Sequence, residues 1–400
     1  MGLLEVRKDA IKGRCFFANR DIKKGELVLR VPSYTFVIDT ESKDYLCQNC
    51  HRQPTLIEGK PLPQAGRPVL AFSCASPVSP CSHVRYCSKE CSQQDFQRYH
   101  QYECEEIASW HSQKPRHWLL AQTGYVQDYT RLMLRIITRA GLESTEMPPG
   151  WTQGMAFSDV WKLCDNLQSF PIDSLNKFSR IASLLTEFAL KHALKPKLPL
   201  VDDDIHQFLV SQHLSTSQLH STLLLLICKE ECNSFGVYTF AYEGAQVERQ
   251  SYGVGIFPDA VFFNHSCNPS VGHVPRPFAG TGTAMLFYAL KDVQAGEEVS
   301  ISYLSSGNSV KQRRKLLKDI FFFNCVCDKC LAEESQDAAA TPPSNCSTNA
   351  ADCPEIGCRG WMVPKALARA DSAVELGNNA LQPSAAQPWI CEGCSISKIG

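Results

Sequence analysis

The chain has 400 residues, an apolar share of 44% and a net charge of −1, from 40 Lys and Arg against 41 Asp and Glu. That length allows two or three units with a buried core, the apolar share excludes a disordered chain, and the charge balance leaves no global basic field for nucleic acid. The 20 cysteines are the outlying number. Glu5, Arg7, Lys8 and Asp9 interrupt any apolar leader, and Val6 stands where a myristoylation site needs Ser or Thr. The longest aliphatic run, Leu223 to Ile227, is too short to span a bilayer. The expectation is a reducing compartment, nuclear or cytoplasmic, with no membrane partner and with thiolates used for metal.

Residues 1–46 alternate short apolar runs with turn signals and read as strands. Gly13-Arg14-Cys15-Phe16-Phe17-Ala18 leads to Asp21-Ile22-Lys23-Lys24-Gly25-Glu26-Leu27-Val28-Leu29, which puts a turn at Lys24-Gly25 before a strand. Residues 47–104 carry the pairs Cys47-x2-Cys50, Cys74-x6-Cys81, Cys87-x3-Cys91 and His100-x3-Cys104. Short spacing lets one turn of chain offer two soft donors to a tetrahedral Zn²⁺. Eight ligands make two closed sites with no position for water, hence a structural role. Little of this stretch is apolar, so metal would supply most of its folding energy. His83 competes with Cys81 as a ligand, and His51 reads as a bystander.

From 105 to 230 the period turns helical. Tyr125, Tyr129, Leu132, Met133, Ile136, Ile137 and Ala140 share one face, and Leu175, Phe178, Ile181, Ala182, Leu185, Phe188 and Ala189 share another. A further helix runs through Leu223–Ile227, after Pro196, Pro199 and Asp202-Asp203-Asp204. Residues 231–304 then read as strands, at Val237–Phe240, Val254–Phe257, Ala284–Tyr288 and Val299–Tyr303. In the tail, 305–335, Lys311-Gln312-Arg313-Arg314-Lys315 opens a helix whose basic run is a solvated face or an import signal. Residues 336–352 read as a linker. Cys353-x4-Cys358 and Cys391-x2-Cys394, near Trp361 and Trp389, read as a zinc ribbon over 353–400, with Cys346 as a substitute ligand. Cys15, Cys164, Cys228, Cys232 and Cys346 are left over, most of them as ordinary buried thiols.

Asn264-His265-Ser266-Cys267-Asn268-Pro269 crowds donors and acceptors directly behind Phe262-Phe263. Polar groups held in a largely buried place would each need a partner, though a strand ending in an Asx-type turn reads equally well from these residues alone. Downstream stand Gly296-Glu297-Glu298-Val299-Ser300-Ile301-Ser302-Tyr303 and Cys325-Val326-Cys327-Asp328-Lys329-Cys330. These stretches together resemble the SET-domain lysine methyltransferases. The array over 47–104, with Tyr86-Cys87-Ser88-Lys89-Glu90-Cys91, resembles a MYND zinc finger. The whole resembles the SET-and-MYND lysine methyltransferases.

The resemblance covers residues 1–335 and implies an α+β chain: a β-rich SET pseudoknot holding a MYND finger and a helical insertion, then a cysteine-rich post-SET tail. It implies interleaved ligation, with Cys47, Cys50, Cys87 and Cys91 on one ion and Cys74, Cys81, His100 and Cys104 on the other. A third ion on Cys267, Cys325, Cys327 and Cys330 would pin the tail over the active site, and the terminal array brings the total to about four zinc ions. The implied reaction is N-methylation of a protein lysine from S-adenosylmethionine, which needs a neutral amine, in-line alignment and exclusion of water. Tyr303 would orient the amine, while Arg14, Phe16, Asn233, Asn264, His265 and Phe323 would join Tyr303 around the cofactor. Asn166 corresponds through only a short stretch, Leu163-Cys164-Asp165-Asn166. Cys15 departs from a common family glycine, which leaves the shape of that loop open. Implied partners are lysine-bearing proteins, histone tails among them. The competing reading is a non-catalytic adaptor whose finger binds proline-rich peptides. Family members often continue into a helical repeat domain, so this chain either lacks that wall or is a fragment.

Overall fold

The computed structural model describes residues 2–51, 69–77, 81–112, 119, 124–143, 155–194, 198–243, 246–277, 282–304, 308–337, 362–364, 367, 388–391 and 397–399. At the start, β1 (Leu4–Asp9) and β2 (Gly13–Ala18) form a hairpin. Asp9 Oδ1 makes its turn by accepting the backbone N–H groups of Ile11 and Lys12, both at 2.8 Å, and Gly13 takes the positive φ of 78° that closes it. The expected turn at Lys24-Gly25 is present, with Gly25 at φ 83°, and leads into β3 (Leu27–Pro32) and β4 (Thr35–Ile38).

The finger segment continues through α1 (Lys89–Asp95), a π-helical turn over Phe96–His100 and α2 (Gln101–Ser112). Ser88 caps α1, its Oγ accepting the Cys91 N–H at 3.1 Å. A boundary at residue 104 falls inside α2, because the helix that ends the finger continues until Ile107 and Trp110 reach the helical core. That core gathers α3 (Gly124–Leu142), α4 (Phe157–Trp161), α5 (Ile172–Lys191), α6 (Asp203–Ser211) and α7 (Gln218–Asn233). The periodic faces land inside it: Leu132, Met133, Ile136 and Ile137 on α3, and Phe178, Ile181, Leu185 and Phe188 on α5, are buried. No helix among the described residues is long and apolar enough to cross a membrane.

Asn233 is the last residue of α7, so the strand character begins one position later. Six strands follow: β5 (Ser234–Glu243), β6 (Gln246–Ile256), β7 (Asn264–His265), β8 (Val271–Pro277), β9 (Thr283–Ala289) and β10 (Ser300–Ile301), of which β5 pairs with β6, β8 with β9 and β7 with β10. The strands make small sheets in the orders β1-β2, β3-β9-β8, β4-β6-β5 and β7-β10. The last pair is parallel, with Asn264 opposite Ser300 and His265 opposite Ile301. Phe16 and Ala18 clamp the incoming segment: Val299 N–H donates to the Phe16 carbonyl at 2.8 Å, and Ala18 N–H donates to that of Glu297 at 2.9 Å. A strand from the far end of the domain is thus held between the first hairpin and β7, which is the pseudoknot.

After it come α8 (Val310–Phe321) and α9 (Asp328–Asp337), then β11 (Met362–Pro364), β12 (Pro388–Cys391) and β13 (Ser397–Ile399) in one antiparallel sheet. These terminal strands are no loose appendage. Met362, Val363, Leu367 and Trp389 share a core with Leu286, Tyr288 and Leu290, and Tyr288 Oη donates to the Met362 carbonyl at 3.2 Å. Of the ribbon's expected ligands only Cys391 is described, and it is buried; Cys346, Cys353, Cys358 and Cys394 lie outside the described residues.

Candidate active site and metal clusters

The two residues of β10 are all that forms of the strand expected over Val299–Tyr303, because the chain changes partners at Tyr303. Its backbone N–H leaves the ladder and donates to His265 Nδ1 at 3.0 Å, while its hydroxyl donates to the Phe263 carbonyl at 2.9 Å. A backbone N–H can only donate, so Nδ1 is an acceptor and the ring proton sits on Nε2. That proton points at Cys267 Sγ, 3.2 Å away. Burial pushes His265 down to about 4, so the ring is neutral and this tautomer holds at neutral pH. Burial also raises the Tyr303 phenol above its ordinary range, with the acidic groups of Cys164, Cys15 and Glu298 adding to it. The hydroxyl therefore stays protonated.

Tyr303 opens onto a cleft of about 1470 Å³, which also receives Arg14, Asn166, Asn233, Asn264, His265 and Phe323. Six separated stretches of chain meet there. Phe16 does not line it: its ring is buried 4.7 Å from Phe263 and 5.4 Å from Phe262, and its part is to hold the β2 backbone against Phe262. Cys15 is fully buried behind the wall in ordinary strand conformation, and its sulfur accepts the Asn264 carboxamide at 2.9 Å. The loop thus needs positive φ only at Gly13. The Arg14 guanidinium lies over the Phe262 ring, 4.8 Å from its centroid, and donates to the Lys162 carbonyl at 3.0 Å. The Asn233 carboxamide is turned inward, donating to the Cys164 carbonyl at 2.8 Å and to that of Lys229 at 2.6 Å.

Three groups of four ligand atoms, each group within 4.8 Å, gather as Cys47, Cys50, Cys87 and Cys91, as Cys74, Cys81, His100 and Cys104, and as Cys267, Cys325, Cys327 and Cys330. The distances test the fit. Sulfur separations of 3.5 Å (Cys50–Cys87), 3.6 Å (Cys87–Cys91), 3.9 Å (Cys74–Cys104) and 3.9 Å (Cys267–Cys325) are far too long for disulfides at about 2.05 Å. They match the edge of about 3.8 Å that a tetrahedron with metal–sulfur bonds of about 2.3 Å requires. The clusters fit zinc. Cys81 joins the cluster rather than His83, whose ring stacks on His111 at 4.2 Å. His51 belongs to none of the groups and packs on Phe36.

Several residues that matter here were missed in the sequence. Glu103 accepts from His100 Nδ1 at 3.0 Å while His100 Nε2 faces Cys81 Sγ at 3.1 Å, and a carboxylate behind a ligating imidazole fixes its ring. The spacing His100-x2-Glu103 on a helix was the available signal. Glu103 in turn takes Arg131 at 2.9 Å and Arg135 at 2.6 Å, and Arg135 reaches Asp95 at 2.8 Å. At the tail, the basic run is mostly engaged: Arg313 donates to Cys267 Sγ at 3.2 Å and pairs with Glu333 at 2.8 Å, while Arg314 pairs with Glu334 and Lys315 with Asp319. Phe321, with its ring 4.9 Å from Tyr303, closes the apolar side of the cleft.

A SET-domain family model matches residues 13–304, well over half of the chain. A SET and MYND domain-containing protein of Dictyostelium discoideum is 26% identical over 83% of this chain and 60% of its own length. N-lysine methyltransferase SMYD2-B of Danio rerio is 25% identical over 80% of this chain and 58% of its own. The chain therefore spans about three fifths of these curated relatives. A solved structure, the SET domain of LSMT bound to lysine and AdoHcy, overlaps 81% of this chain and 53% of that one at 13% identity, with a TM-score of 0.31. On the family match, and with its finger clusters and post-SET cysteines assembled around the pseudoknot, the chain belongs to the SET-domain family, and it is similar to that family's SET-and-MYND proteins.

Proposed function

We propose that the protein binds S-adenosylmethionine in this cleft and methylates a lysine of a protein substrate, in the nucleus or the cytoplasm. One observation carries the reading: the Tyr303 hydroxyl, the Asn264–His265 pair and the zinc-fitting tail meet at one point, through the bonds to Phe263, His265 and Cys267. The volume of about 1470 Å³ exceeds the usual range of roughly 300–1000 Å³ for one small ligand, so it has room for a cofactor and an entering lysine. The names of the relatives from zebrafish and human, N-lysine methyltransferases, support the same chemistry.

When bound, S-adenosylmethionine supplies a methyl group on a sulfonium sulfur. Arg14, Asn166 and Asn264 would meet its polar ends and Phe323 its flat one, with His265 and Asn233 fixing the wall behind them. The Tyr303 hydroxyl gives its proton to the Phe263 carbonyl and keeps oxygen lone pairs to accept an amine N–H. A phenol kept protonated by burial orients the amine and is no base. An amine enclosed among Tyr303, Phe321 and Phe323 loses its water, and that desolvation favours the neutral form. Zinc on the three clusters would be structural, since each offers four protein ligands. Lysine-bearing proteins, histone tails included, are the proposed substrates, with proline-rich peptides as partners of the finger.

Calorimetry with S-adenosylmethionine tests the binding half, and no heat at saturating cofactor leaves the adaptor role instead. Tyr303→Phe tests the catalytic half. It should lower methyl transfer to a peptide array on the order of 10²-fold, the usual cost of a misplaced reactant, with cofactor affinity retained. Wild-type rates in that variant remove Tyr303 from the mechanism.

A further inference from the structure

Two thiols stay outside the clusters and face the cleft. Of the cysteines left over, Cys15 and Cys228 are buried, whereas Cys164 is exposed and Cys232 half-buried. Cys164 lies between α4 and a 3-10 turn at Leu167–Ser169, and Cys232 is in the last turn of α7, yet both line the same wall. Each thiol bonds to a residue next to the other in the chain, Cys164 to Asn233 and Cys232 to Asp165. Around them, Cys164 Sγ lies 3.6 Å from Asn233 Oδ1, and Cys232 Sγ lies 3.5 Å from both the Asp165 carbonyl and Asn166 Nδ2. The Lys229 ammonium stands beside them, donating to the Leu163 carbonyl at 2.7 Å and to Asp165 at 3.2 Å.

The Cys232 thiol, helped by the Lys229 charge and opposed by burial, brings Cys164 down to about 6. Its partner is raised, chiefly by the neighbouring Cys164 and by burial, and so stays a protonated thiol. An accessible thiolate beside a protonated thiol is the arrangement that peroxide-reactive cysteines share with their resolving partners.

We propose that Cys164 and Cys232 are an oxidisable pair that a hydroperoxide converts into a disulfide across the cleft wall. The Cys164 thiolate attacks a peroxide oxygen. An S–O bond forms, the O–O bond breaks, and the leaving oxygen takes up a proton to become water or an alcohol. Cys232 then attacks the sulfenic sulfur; the S–S bond forms, the S–O bond breaks, and the departing hydroxide leaves as water with the Cys232 proton. The two thiols lose two electrons, and the peroxide gains them. The bond would tie the segment that carries Asn166 to the helix end that carries Asn233. Its consequence, which rests on the proposed cofactor role of this cleft, is loss of S-adenosylmethionine affinity by about tenfold or more.

The test uses the full zinc-loaded chain, reduced and then exposed to a few equivalents of hydrogen peroxide. Free thiols are alkylated before digestion and mass spectrometry, and a chromogenic chelator follows zinc release. A Cys164–Cys232 linked peptide pair, two hydrogens lighter, formed before any zinc leaves and reversed by dithiothreitol, is the expected result. Cys164→Ser and Cys232→Ser should each abolish it. Cys164 unmodified or carried to sulfinic acid, or cluster cysteines oxidised first, overturns the proposal. Calorimetry on the oxidised chain reads the consequence: a linked pair with unchanged cofactor affinity refutes it. A reduced chain that never binds cofactor strikes the methyltransferase reading alone and leaves the mass-spectrometric result standing.

Discussion

Two clusters in this protein bring a histidine to a sulfur at nearly the same distance, 3.1 Å for His100 and Cys81 and 3.2 Å for His265 and Cys267, and the two rings serve different ends. His100 is one of the four ligands, and behind it Glu103, Arg131, Arg135 and Asp95 form a buried ionic chain that ties the finger to α3. His265 is no ligand. It stands between the tail cluster and the Tyr303 backbone, so whatever fixes Cys267 also fixes the tyrosine. The finger clusters therefore bear on the stability of the fold, whereas the tail cluster bears on the geometry of the site. Chemically similar clusters acquire different roles from what lies one bond further out.

The largest effect that sharpens this contrast is expected at Arg135. Its guanidinium is buried, and it pairs with Asp95 and Glu103. Burial works against both carboxylates and the arginines more than offset it, so both remain below their ordinary range. Arg135→Leu strands the Asp95 charge in the core and leaves Glu103 to Arg131 and His100, and should lower the unfolding free energy by about 3–5 kcal/mol in urea titration. A change under 1 kcal/mol would detach the finger from α3 and collapse the distinction.

A buried acid on the same helix, on which the charge of Arg131 is the weakest influence, should behave in the opposite way. Asp128 accepts the Thr40 N–H at 3.0 Å and its hydroxyl at 2.7 Å, but burial dominates and pushes it up to about 6 from an ordinary 3.8. Between those two values the folded chain holds a proton that the unfolded chain has released. Its contribution is complete below about pH 4 and is lost as pH rises through 6, by at most about 3 kcal/mol. Asp128→Asn should flatten that part of the stability–pH curve, and an unchanged slope would assign the titration elsewhere.

The smallest effect is the most selective. Glu103→Gln keeps the shape but weakens the hold on the His100 ring, and should cost about 10- to 100-fold in zinc affinity at the Cys74–Cys81–His100–Cys104 cluster. Competition against a chromogenic chelator reads it. The tail ion should be retained at wild-type affinity, and its loosening would break the comparison.

Much of this was legible before any coordinates. Soft ligands at short spacing point to closed metal sites whatever the fold, and the grouping that the family resemblance implied is the one in which the ligand atoms meet. The helical faces were legible for the same kind of reason, since burial of one stripe imposes a period on the sequence, as on α3 and α5. Glu103 and Arg135 drew no reading, and Arg313 read as part of a solvated face or an import signal, because a sequence carries no signal for a charge buried against a partner that another element supplies. Cys15, read as a departure from glycine, turned out to fill ordinary strand space behind Asn264.

From its sequence alone this protein was committed to zinc-fitting cysteine arrays, to packed amphipathic helices and to the SET motifs, because each depends on spacing along a single segment. Only the tertiary structure decided that Phe16 faces the core, that His265 couples Tyr303 to Cys267, and that Cys164 and Cys232 share a wall. Those are meetings of segments far apart in the chain. They arise when the pseudoknot closes and buried polar groups must find whichever partner the packing brings within reach.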